Sequence, residues 1–528
     1  MNQERKLYQL VIGRLDGGRI CDHAYQEGIL TLARKGIGGF IIFGGKREYL
    51  RPFIDKLQSI AEIPLFIASD IERGVGQQID GYTNFPCQMA VRAAVNRDVP
   101  DDMAILRDVV KAVALEAIDA GINMPLIPVL DVNSNPDNPI ICTRAFSDNP
   151  EDVSLFGSEY IRVLEGMGLI SCAKHFPGHG DTSTDSHISL PLIRKSYDDL
   201  VNFDVRPFAH AIKTGVSSIM IGHLMIPSMD DSVPSSLSKK VITDLLRKEL
   251  GFNGLIMTDA LNMSAISGIE NIAARCLNAG VDIILHPSDA ELTIRELEDA
   301  VSTGLISEET IDAAIDRILK AKSRFAQIKG VEIDFHSNSI ISKRMTEMSV
   351  TVVNKKEGVV PVTDDDKIQV VIAGEERLCK KSSWMEQFRN VHSLTKMHEN
   401  SHPHPFEFSQ DGLNPLPEGE EITLPFKGRD RVGMGFSDET LIIAIFSEVA
   451  AWRGSAGIDG KVMDQITGII RKARTSIVIS FGSPYILRHF SDADVLIAAY
   501  EANGRAQKAV IKCLKEEACI GGKLPVRL

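Results

Sequence analysis

A segment from Lys174 to His187, with the sequence KHFPGHGDTSTDSH, concentrates side chains that can do acid–base chemistry. Asp185 and His187 are two positions apart, so in an extended loop their side chains project to the same side. A carboxylate beside an imidazole fixes the tautomer of the ring and supports its protonated form, which makes a dyad able to exchange protons near neutral pH. The alternative is a polar loop whose side chains only complete its own turns.

A second candidate is Asp259, in the segment GLIMTDAL that begins at Gly254. The aspartate ends an apolar run that predicts a β-strand, so a stiff backbone would hold its carboxylate at the edge of a sheet. A carboxylate nucleophile requires such a position, because attack depends on accurate placement. The alternative is that Asp259 caps the helix that follows.

Polar residues at the carboxyl ends of predicted strands recur along the first part of the chain. Apolar runs at 10–15, 37–43, 64–70, 122–131, 169–177, 216–223, 254–259 and 281–286 alternate with segments of helical period. These runs end in, or are followed directly by, Asp70, Asp131, Lys174 with His175, His223, Asp259 and His286. Apolar strands separated by helices predict a parallel sheet covered on both faces. Eight such units favour a (β/α)8 barrel over an open doubly wound sheet, and a barrel gathers these side chains on one face.

The pattern changes after a predicted helix at 308–325. Residues 327–339 predict a linker, a helix is expected at 341–349, and apolar runs at 350–353, 368–373, 440–446, 476–481 and 495–500 predict the strands of a smaller α/β sandwich. We therefore expect a barrel domain at 1–335 and a sandwich domain at 336–528. Residues 398–431 predict a long surface loop. Its histidines, His398, His402 and His404, are interpreted as solvated, so we predict no metal site and no cofactor.

The composition limits the partners of the protein. Its 528 residues include 58 Lys and Arg and 71 Asp and Glu, a formal net charge of −13, which argues against nucleic acid or an anionic membrane as the main partner. No apolar run reaches the roughly 18 residues of a membrane helix, and the first residues lack the pattern of a signal peptide. We expect a cytoplasmic protein that acts on a small molecule, and a homodimer is one open option for its assembly.

The segments KHFPGHGDTSTDSH and GLIMTDAL together resemble glycoside hydrolase family 3, specifically its β-N-acetylglucosaminidase branch. Further matches are IASD at 67–70, NPDNP at 135–139 with RAF at 144–146, and GGKLPV at 521–526. The resemblance spans nearly the whole chain. It implies a (β/α)8 barrel and a two-step mechanism that retains the anomeric configuration.

The resemblance also assigns roles to the matching positions. Asp259 would be the nucleophile that forms a glycosyl–enzyme intermediate, and His187, paired with Asp185, would be the general acid/base in place of the usual second carboxylate. The residues that would hold the hydroxyls of the terminal sugar are Asp70, Arg144, Lys174, His175 and His223. The charges of Lys174 and Arg144 are expected to keep Asp259 ionised.

One segment departs from the pattern of this branch. After the aspartate the branch usually reads Gln-Glu-Gly-Gly-Arg-Val, whereas this chain reads IERGVG at 71–76. The arginine of that pattern is missing, and Arg73 lies closer to Asp70. The contacts of this loop, and with them the substrate preference, therefore do not follow from the resemblance.

The predicted function is an exo-acting β-N-acetylglucosaminidase that removes terminal GlcNAc from cell-wall muropeptide fragments. A neutral imidazole repels an incoming anion less than a carboxylate would, so phosphate could replace water in the second step and a phosphorylase stays open. A family-3 β-glucosidase would instead take its acid/base from the second domain, where Glu448 is one candidate. A non-catalytic carbohydrate-binding relative is disfavoured by the presence of Asp259 and of the Asp185–His187 dyad.

Overall fold

The computed structural model describes residues 1–184, 189–324, 332–357, 359, 361–362, 368–380, 391–396, 439–449, 457–516 and 521–528. Within these residues the chain forms an α/β structure of two parts. The first part contains eight short parallel strands with helices between them, and the second contains a mostly parallel six-stranded sheet.

The strands of the first part are β1 (Val11–Asp16), β2 (Gly39–Phe43), β3 (Phe66–Ser69), β4 (Met124–Pro125), β5 (Cys172–Phe176), β6 (Ser218–Ile221), β7 (Leu255–Thr258) and β8 (Ile284–Leu285). They form a five-stranded sheet in the order β4-β3-β2-β1-β8 and a three-stranded sheet in the order β5-β6-β7. Isolated parallel bridges join Val129 to Lys174 and Met257 to Ile283, one at each junction between the two sheets. All eight strands therefore run in one direction, and their carboxyl ends lie on the same side.

The second sheet contains β9 (Thr351–Lys355), β10 (Ile368–Glu375), β11 (Val391–Lys396), β12 (Thr440–Phe446), β13 (Thr475–Phe481) and β14 (Val495–Ala498). Their order is β11-β10-β12-β13-β14-β9, and only β9 pairs antiparallel with its neighbour. The strands β12 and β13 are almost entirely buried. Near-continuous apolar strands of this kind are typical of a sheet covered on both faces.

The helices lie between the strands. The α-helices are α1 (Gln3–Gln9), α2 (His23–Lys35), α3 (Arg47–Ile60), α4 (Gln88–Ala94), α5 (Pro100–Ala120), α6 (Pro150–Gly166), α7 (Tyr197–Asp199), α8 (Arg206–Thr214), α9 (Ile272–Ala279), α10 (Ala290–Ser302), α11 (Glu308–Lys322), α12 (Phe335–Ser349), α13 (Glu376–Lys380), α14 (Gly460–Ile470) and α15 (Gly504–Glu516). Two segments have π-type hydrogen bonding, Leu200–Asp204 and Lys240–Glu249. Short 3₁₀ turns occur at Val75–Gln77, Cys142–Arg144, Ser235–Leu237, Ser264–Ile266 and Pro484–Phe490.

Local sequence signals set several helix ends. The side chain of Asn149 accepts hydrogen bonds from the backbone N–H groups of Glu151 and Asp152 and so caps α6, whose first residue is Pro150. Helix α5 ends where Gly121 adopts a φ of +81°, a conformation that glycine reaches without the steric cost of a Cβ atom.

The apolar cores show how the two parts meet. One cluster fills the first part, and another covers one face of the second sheet. A third cluster covers the opposite face of that sheet and includes Cys87, Met89, Ala90 and Ala93 of the first part, so the two parts share a buried interface. Helix α12 packs against α4 and α5 on one side and against α15 on the other.

Several predicted elements need correction. Residues 335–339, predicted as linker, are the first residues of α12, whose N-terminus is capped by the Asp334 side chain. Strand β11 was not predicted. The predicted surface loop at 398–431, with His398, His402 and His404, lies outside the described residues. Among the helices that the structure describes, none is long and apolar enough to cross a membrane.

Candidate active site

Lys174 lies in β5 with 1% of its side chain exposed, and its Nζ contacts two carboxylates. The distance is 2.6 Å to Asp70 Oδ1 and 2.8 Å to Glu72 Oε1. Burial by itself would lower the pKa of Lys174, but the negative charges of Asp70 and Glu72 outweigh it and raise the pKa. The lysine is therefore a fixed cation at the carboxyl end of the strands.

Arg144, which ends the turn Cys142–Arg144, completes this cluster. Its Nε donates to Glu72 Oε2 at 2.9 Å and its Nη2 to Glu72 Oε1 at 2.8 Å, a bidentate pair. Burial would raise the pKa of Glu72, but the charges of Arg144 and Lys174 hold that pKa well below its ordinary value. Glu72 is therefore ionised and bridges the two cations.

Glu72 was missed as a site residue by the sequence analysis, which noted it only within the departing loop. The available signal was its place two positions after the strand-end residue Asp70. In the structure Lys174 and Arg144 both make ion pairs with Glu72. The expected effect of their charges on Asp259 stays a prediction.

His175 is oriented by a buried carboxylate. Its Nδ1 lies 2.7 Å from Asp131 Oδ2, and its Nε2 lies 3.5 Å from Arg144 Nη2. Burial would raise the pKa of Asp131, but the facing histidines lower it below the ordinary value. Asp131 also accepts the backbone N–H of His179 at 2.6 Å. One carboxylate therefore holds both His175 and His179, at the two ends of the turn between them.

Asp259 follows β7 directly and is partly exposed. Its backbone N–H donates to the carbonyl of Ile221 at 2.9 Å, which holds it to the neighbouring strand β6. The next α-helix, α9, begins only at Ile272 and has Asn271 at its N-cap position, so Asp259 does not cap a helix. A carboxylate on a strand end, held by the sheet, can act as a nucleophile.

Two histidines lie within the electrostatic reach of Asp259. Burial lowers the pKa of both His179 and His286 to about 4, and the negative charge of Asp259 acts in the opposite direction on each. Both rings are therefore neutral at physiological pH. His286 also packs against Phe43, at 5.2 Å between ring centroids, on the side of the site formed by β8, β1 and β2.

The prediction that His223 binds substrate stays a prediction, and the structure shows its contacts within the protein. It is fully buried, its Nδ1 lies 2.8 Å from Ser236 Oγ, and its Nε2 lies 3.3 Å from the carbonyl oxygen of Ala260. These contacts hold the backbone that follows Asp259.

The structure thus brings together Asp70, Arg144, Lys174 and His175, with Asp259 and His223 at the ends of the neighbouring strands β7 and β6. Asp185 and His187 lie outside the described residues, so their role as a dyad stays a prediction. Glu448 lies at the end of β12, where it pairs with Arg377 and its backbone N–H donates to Glu375 Oε1 at 2.7 Å.

The chain matches a known family. The model of the glycosyl hydrolase family 3 N-terminal domain matches residues 3–321. The chain is 32% identical over 404 residues to β-hexosaminidase A of Pseudoalteromonas piscicida, an alignment that covers 69% of this chain and 67% of that protein.

Two solved structures are similar over the whole chain. One is a glycoside hydrolase family 3 β-N-acetylglucosaminidase from Paenibacillus sp. str. FPU-7, with a TM-score of 0.79 and 25% identity, covering 100% of this chain and 99% of that chain. The other is the β-glucoside phosphorylase BglX bound to 2FGlc, with a TM-score of 0.82 and 23% identity, covering 100% of this chain and 94% of that chain. The second likeness concerns the fold alone.

Proposed function

Because the chain belongs to glycosyl hydrolase family 3, we propose that it is a β-N-acetylhexosaminidase that hydrolyses terminal β-linked GlcNAc. The names of the relatives in Pseudoalteromonas and Paenibacillus support this activity. The proposal is carried by the arrangement at the carboxyl ends of the strands. Asp259 directly follows β7, and Glu72, in the loop after β3, forms ion pairs with Lys174 of β5 and with Arg144.

The proposal includes a closed (β/α)8 barrel. Support comes from the bridges Val129–Lys174 and Met257–Ile283, which link the five-stranded and three-stranded sheets at both of their junctions. A closed barrel places the carboxyl ends of all eight strands around one opening, where active sites of this architecture lie. We assign residues 1–335 to this barrel domain and residues 336–528 to the sandwich domain, which begins with nearly all of α12.

In the proposed mechanism Asp259 attacks the anomeric carbon, and a covalent glycosyl–enzyme intermediate forms as the aglycone leaves. His187, supported by Asp185, protonates the leaving oxygen and then removes a proton from the attacking water. The configuration at the anomeric carbon is retained, because two displacements occur at the same centre. As the nucleophile, Asp259 must be ionised, and as the general acid/base, His187 must gain and lose a proton near neutral pH.

The remaining polar cluster holds the terminal sugar in this proposal. The cluster supplies a carboxylate, a guanidinium, an ammonium and an imidazole, which match vicinal hydroxyls that both donate and accept hydrogen bonds. These groups belong to Asp70, Arg144, Lys174 and His175. Glu72 is already saturated by Arg144 and Lys174, so we assign it to holding those two cations. His223 supports the backbone after Asp259.

The natural substrate in this proposal is a cell-wall muropeptide fragment and the site of action is the cytoplasm. Both assignments rest on the resemblance of the KHFPGHGDTSTDSH segment to the β-N-acetylglucosaminidase branch. The supporting experiment is turnover of muropeptide fragments by the purified protein, with release of free GlcNAc as the expected product.

The activity is tested by comparing aryl β-GlcNAc with aryl β-glucoside, each with and without inorganic phosphate. We expect preference for the GlcNAc substrate, free GlcNAc as the product, and loss of turnover in His187→Ala. Preference for glucose, or unchanged turnover in His187→Ala, would contradict the proposal. Formation of GlcNAc-1-phosphate would identify a phosphorylase instead.

A further inference from the structure

The segment that follows β14 lies against the loop that follows β3, so the second part of the chain contacts a loop of the candidate site. Glu501 is 7% exposed, and its Oε1 accepts the backbone N–H of Cys87 at 3.2 Å. Arg505 Nη1 donates to the carbonyl of Asn84 at 2.6 Å. Residues 84–87 are thus held at both ends by side chains of the second part.

The held segment determines the position of the β3 loop. The backbone N–H of Phe85 donates to the carbonyl of Arg73 at 2.7 Å, and Gly76 N–H donates to the carbonyl of Thr83 at 3.1 Å. A Cβ atom at Gly74, whose φ is +80°, would lie 2.6 Å from the ring of Phe85, so the two arms of the loop are in close contact. Arg73 directly follows Glu72 in the chain. The hydrogen bond between Phe85 and Arg73 therefore links the position of residues 84–87 to the position of Glu72.

The same segment also holds the partner of Glu72. Gln88, 1% exposed, follows Cys87 and donates through Nε2 to the carbonyls of Val129 and Arg144, both at 2.9 Å. Its Oε1 accepts the backbone N–H of Val129 at 3.1 Å. The two halves of the bidentate Glu72–Arg144 pair are therefore both attached to residues 84–88.

We infer that Glu501 is a positioning residue for the active site, which fixes Glu72 and Arg144 relative to each other by holding the backbone of Cys87. The second part of the chain is thereby a working component of the site. This inference rests on the proposed function in one respect, that Arg144 and Lys174 hold the terminal sugar.

Arg73, in the loop that follows β3, also interacts electrostatically with the Glu501 carboxylate. Burial raises the pKa of Glu501, while the charge of Arg73 acts in the opposite direction. Asn503 Nδ2 donates to Glu501 Oε2 at 2.9 Å, and the side chain of Asn503 also accepts the backbone N–H of Arg505 at the start of α15. The carboxylate is thus oriented from its own side, and its remaining oxygen is directed at Cys87.

The kinetic test compares Glu501→Ala and Glu501→Gln with Asp494→Ala. Asp494 is a matched control, because its carboxylate also accepts a backbone N–H, that of Ser476 at 2.8 Å, but does so inside the second sheet. In Glu501→Ala we expect KM for the aryl glycoside to rise about tenfold while kcat changes less than about threefold, since the loss of one buried acceptor disturbs sugar binding. Glu501→Gln keeps an acceptor oxygen and should restore KM to within about twofold. Asp494→Ala should leave both constants within about twofold, because its lost hydrogen bond is remote from the site.

A second measurement, hydrogen exchange, does not depend on turnover. Backbone amides in peptides covering residues 84–88 and 140–146 should exchange at least about tenfold faster in Glu501→Ala than in the wild type. In Asp494→Ala the exchange rates of these peptides should equal those of the wild type. Wild-type KM together with wild-type exchange in Glu501→Ala would overturn the inference. Faster exchange spread over the whole chain would also overturn it, because it indicates a general loss of stability.

The two proposals fail in different ways. A wild-type protein that does not cleave aryl β-GlcNAc would contradict the proposed function, while the exchange comparison would still decide whether Glu501 is coupled to the segment that carries Arg144.

Discussion

Lys174 and Lys322 are two buried lysines at opposite ends of the same strands, with 1% and 3% of their surface exposed. At the carboxyl end, Lys174 Nζ contacts the carboxylates of Asp70 and Glu72, and their charges raise its pKa. The ammonium is therefore stabilised by charges that are themselves part of the candidate site.

At the amino end, Lys322 Nζ donates to Gln9 Oε1 at 2.8 Å and to the carbonyl of Gly38 at 2.7 Å, and lies 4.7 Å from the centroid of the Phe66 ring. These partners are neutral and belong to the segments that lead into β1, β2 and β3. Burial lowers the pKa of Lys322 well below its ordinary value. The side chain joins the starts of three strands to the end of α11.

A second buried charge at the amino end, Asp282, differs from Lys322 in having charged partners. Asp282, which precedes β8, accepts from Arg247 Nη2 at 2.6 Å, from Arg317 Nε at 2.7 Å and from the backbone N–H of Ile256 at 2.8 Å. Its partners tie a helix and a neighbouring strand together.

A buried charge therefore does not by itself indicate an active site. At the amino end the buried charges bind backbone groups, an amide oxygen and the side chains of Arg247 and Arg317, and these contacts join helices to strands and stabilise the fold. At the carboxyl end the charges pair with one another beside the partly exposed Asp70 and Asp259. Predictions about the two ends therefore concern different measurements, turnover at one and stability at the other.

The largest expected effect is on turnover at the carboxyl end. Asp259→Asn should lower kcat for aryl β-GlcNAc by about 10⁴-fold or more, because the amide cannot form the glycosyl–enzyme bond. Its melting temperature should stay close to that of the wild type. Asp244→Asn, the same change on an exposed helix, is the control and should keep full activity. Residual activity above about 10% in Asp259→Asn would remove Asp259 from the nucleophile role.

The amino end should respond through stability. Asp282→Ala removes the carboxylate that pairs with Arg247 and Arg317 and accepts the N–H of Ile256, so we expect a loss of about 3–5 kcal/mol in the free energy of unfolding. The folded fraction should keep its kcat and KM within about twofold. Urea denaturation measures the first value and initial rates below the unfolding transition measure the second. A specific fall in kcat would contradict the division between the two ends.

The two lysines provide a direct comparison through the same substitution. Lys174→Met removes the cation between Asp70 and Glu72 and should raise KM about 30-fold or more, since one partner of a buried ion pair is lost. Lys322→Met should leave kcat and KM within about twofold, because its contacts lie at the other end of the strands. Equal effects of the two substitutions on KM would show that the ends are not independent.

The smallest expected effect is a pH dependence of stability. The pKa of Lys322 is lower in the folded protein than in the unfolded chain, so folding favours the neutral amine. The stabilisation that the neutral amine provides is complete above the ordinary lysine pKa, and it is lost as the pH falls from that value toward the pKa of the folded state. Between pH 8 and 10 the free energy of unfolding should therefore rise with pH, by up to about 1.4 kcal/mol per unit from this residue.

The slope should be absent from Lys322→Met, measured by urea denaturation across the same range. Lys174 should not make the free energy of unfolding depend on pH between pH 8 and 10. Its pKa is raised in the folded protein, so the stability that its charge provides is fully present at every pH below the ordinary lysine pKa. An unchanged slope in Lys322→Met would indicate that the amine is charged in the folded protein.

Most of the described strands and helices follow from the pattern of apolar residues, while the roles of the predicted site residues stay predictions. Strand β12 has the predicted bounds, 440–446, because a short continuous run of apolar residues is typical of a strand that is buried on both faces. Asp70, Lys174, His175 and Asp259 were found since the carboxyl ends of parallel strands converge whatever the loops do. Strand β11 (Val391–Lys396) was missed because its alternation of polar and apolar residues is weak.

The pairing of charges depends on the tertiary structure. Glu72 pairs with Arg144, 72 positions further along the chain, and Glu501 accepts the N–H of Cys87 from 414 positions away. Sequence patterns report burial over a few neighbouring residues, whereas an ion pair between loops depends on where each loop is carried by the folded framework. The pairing of Glu72 with Arg144, and the contact of the second part with the loop after β3, were for that reason not predictable from residue types and spacing.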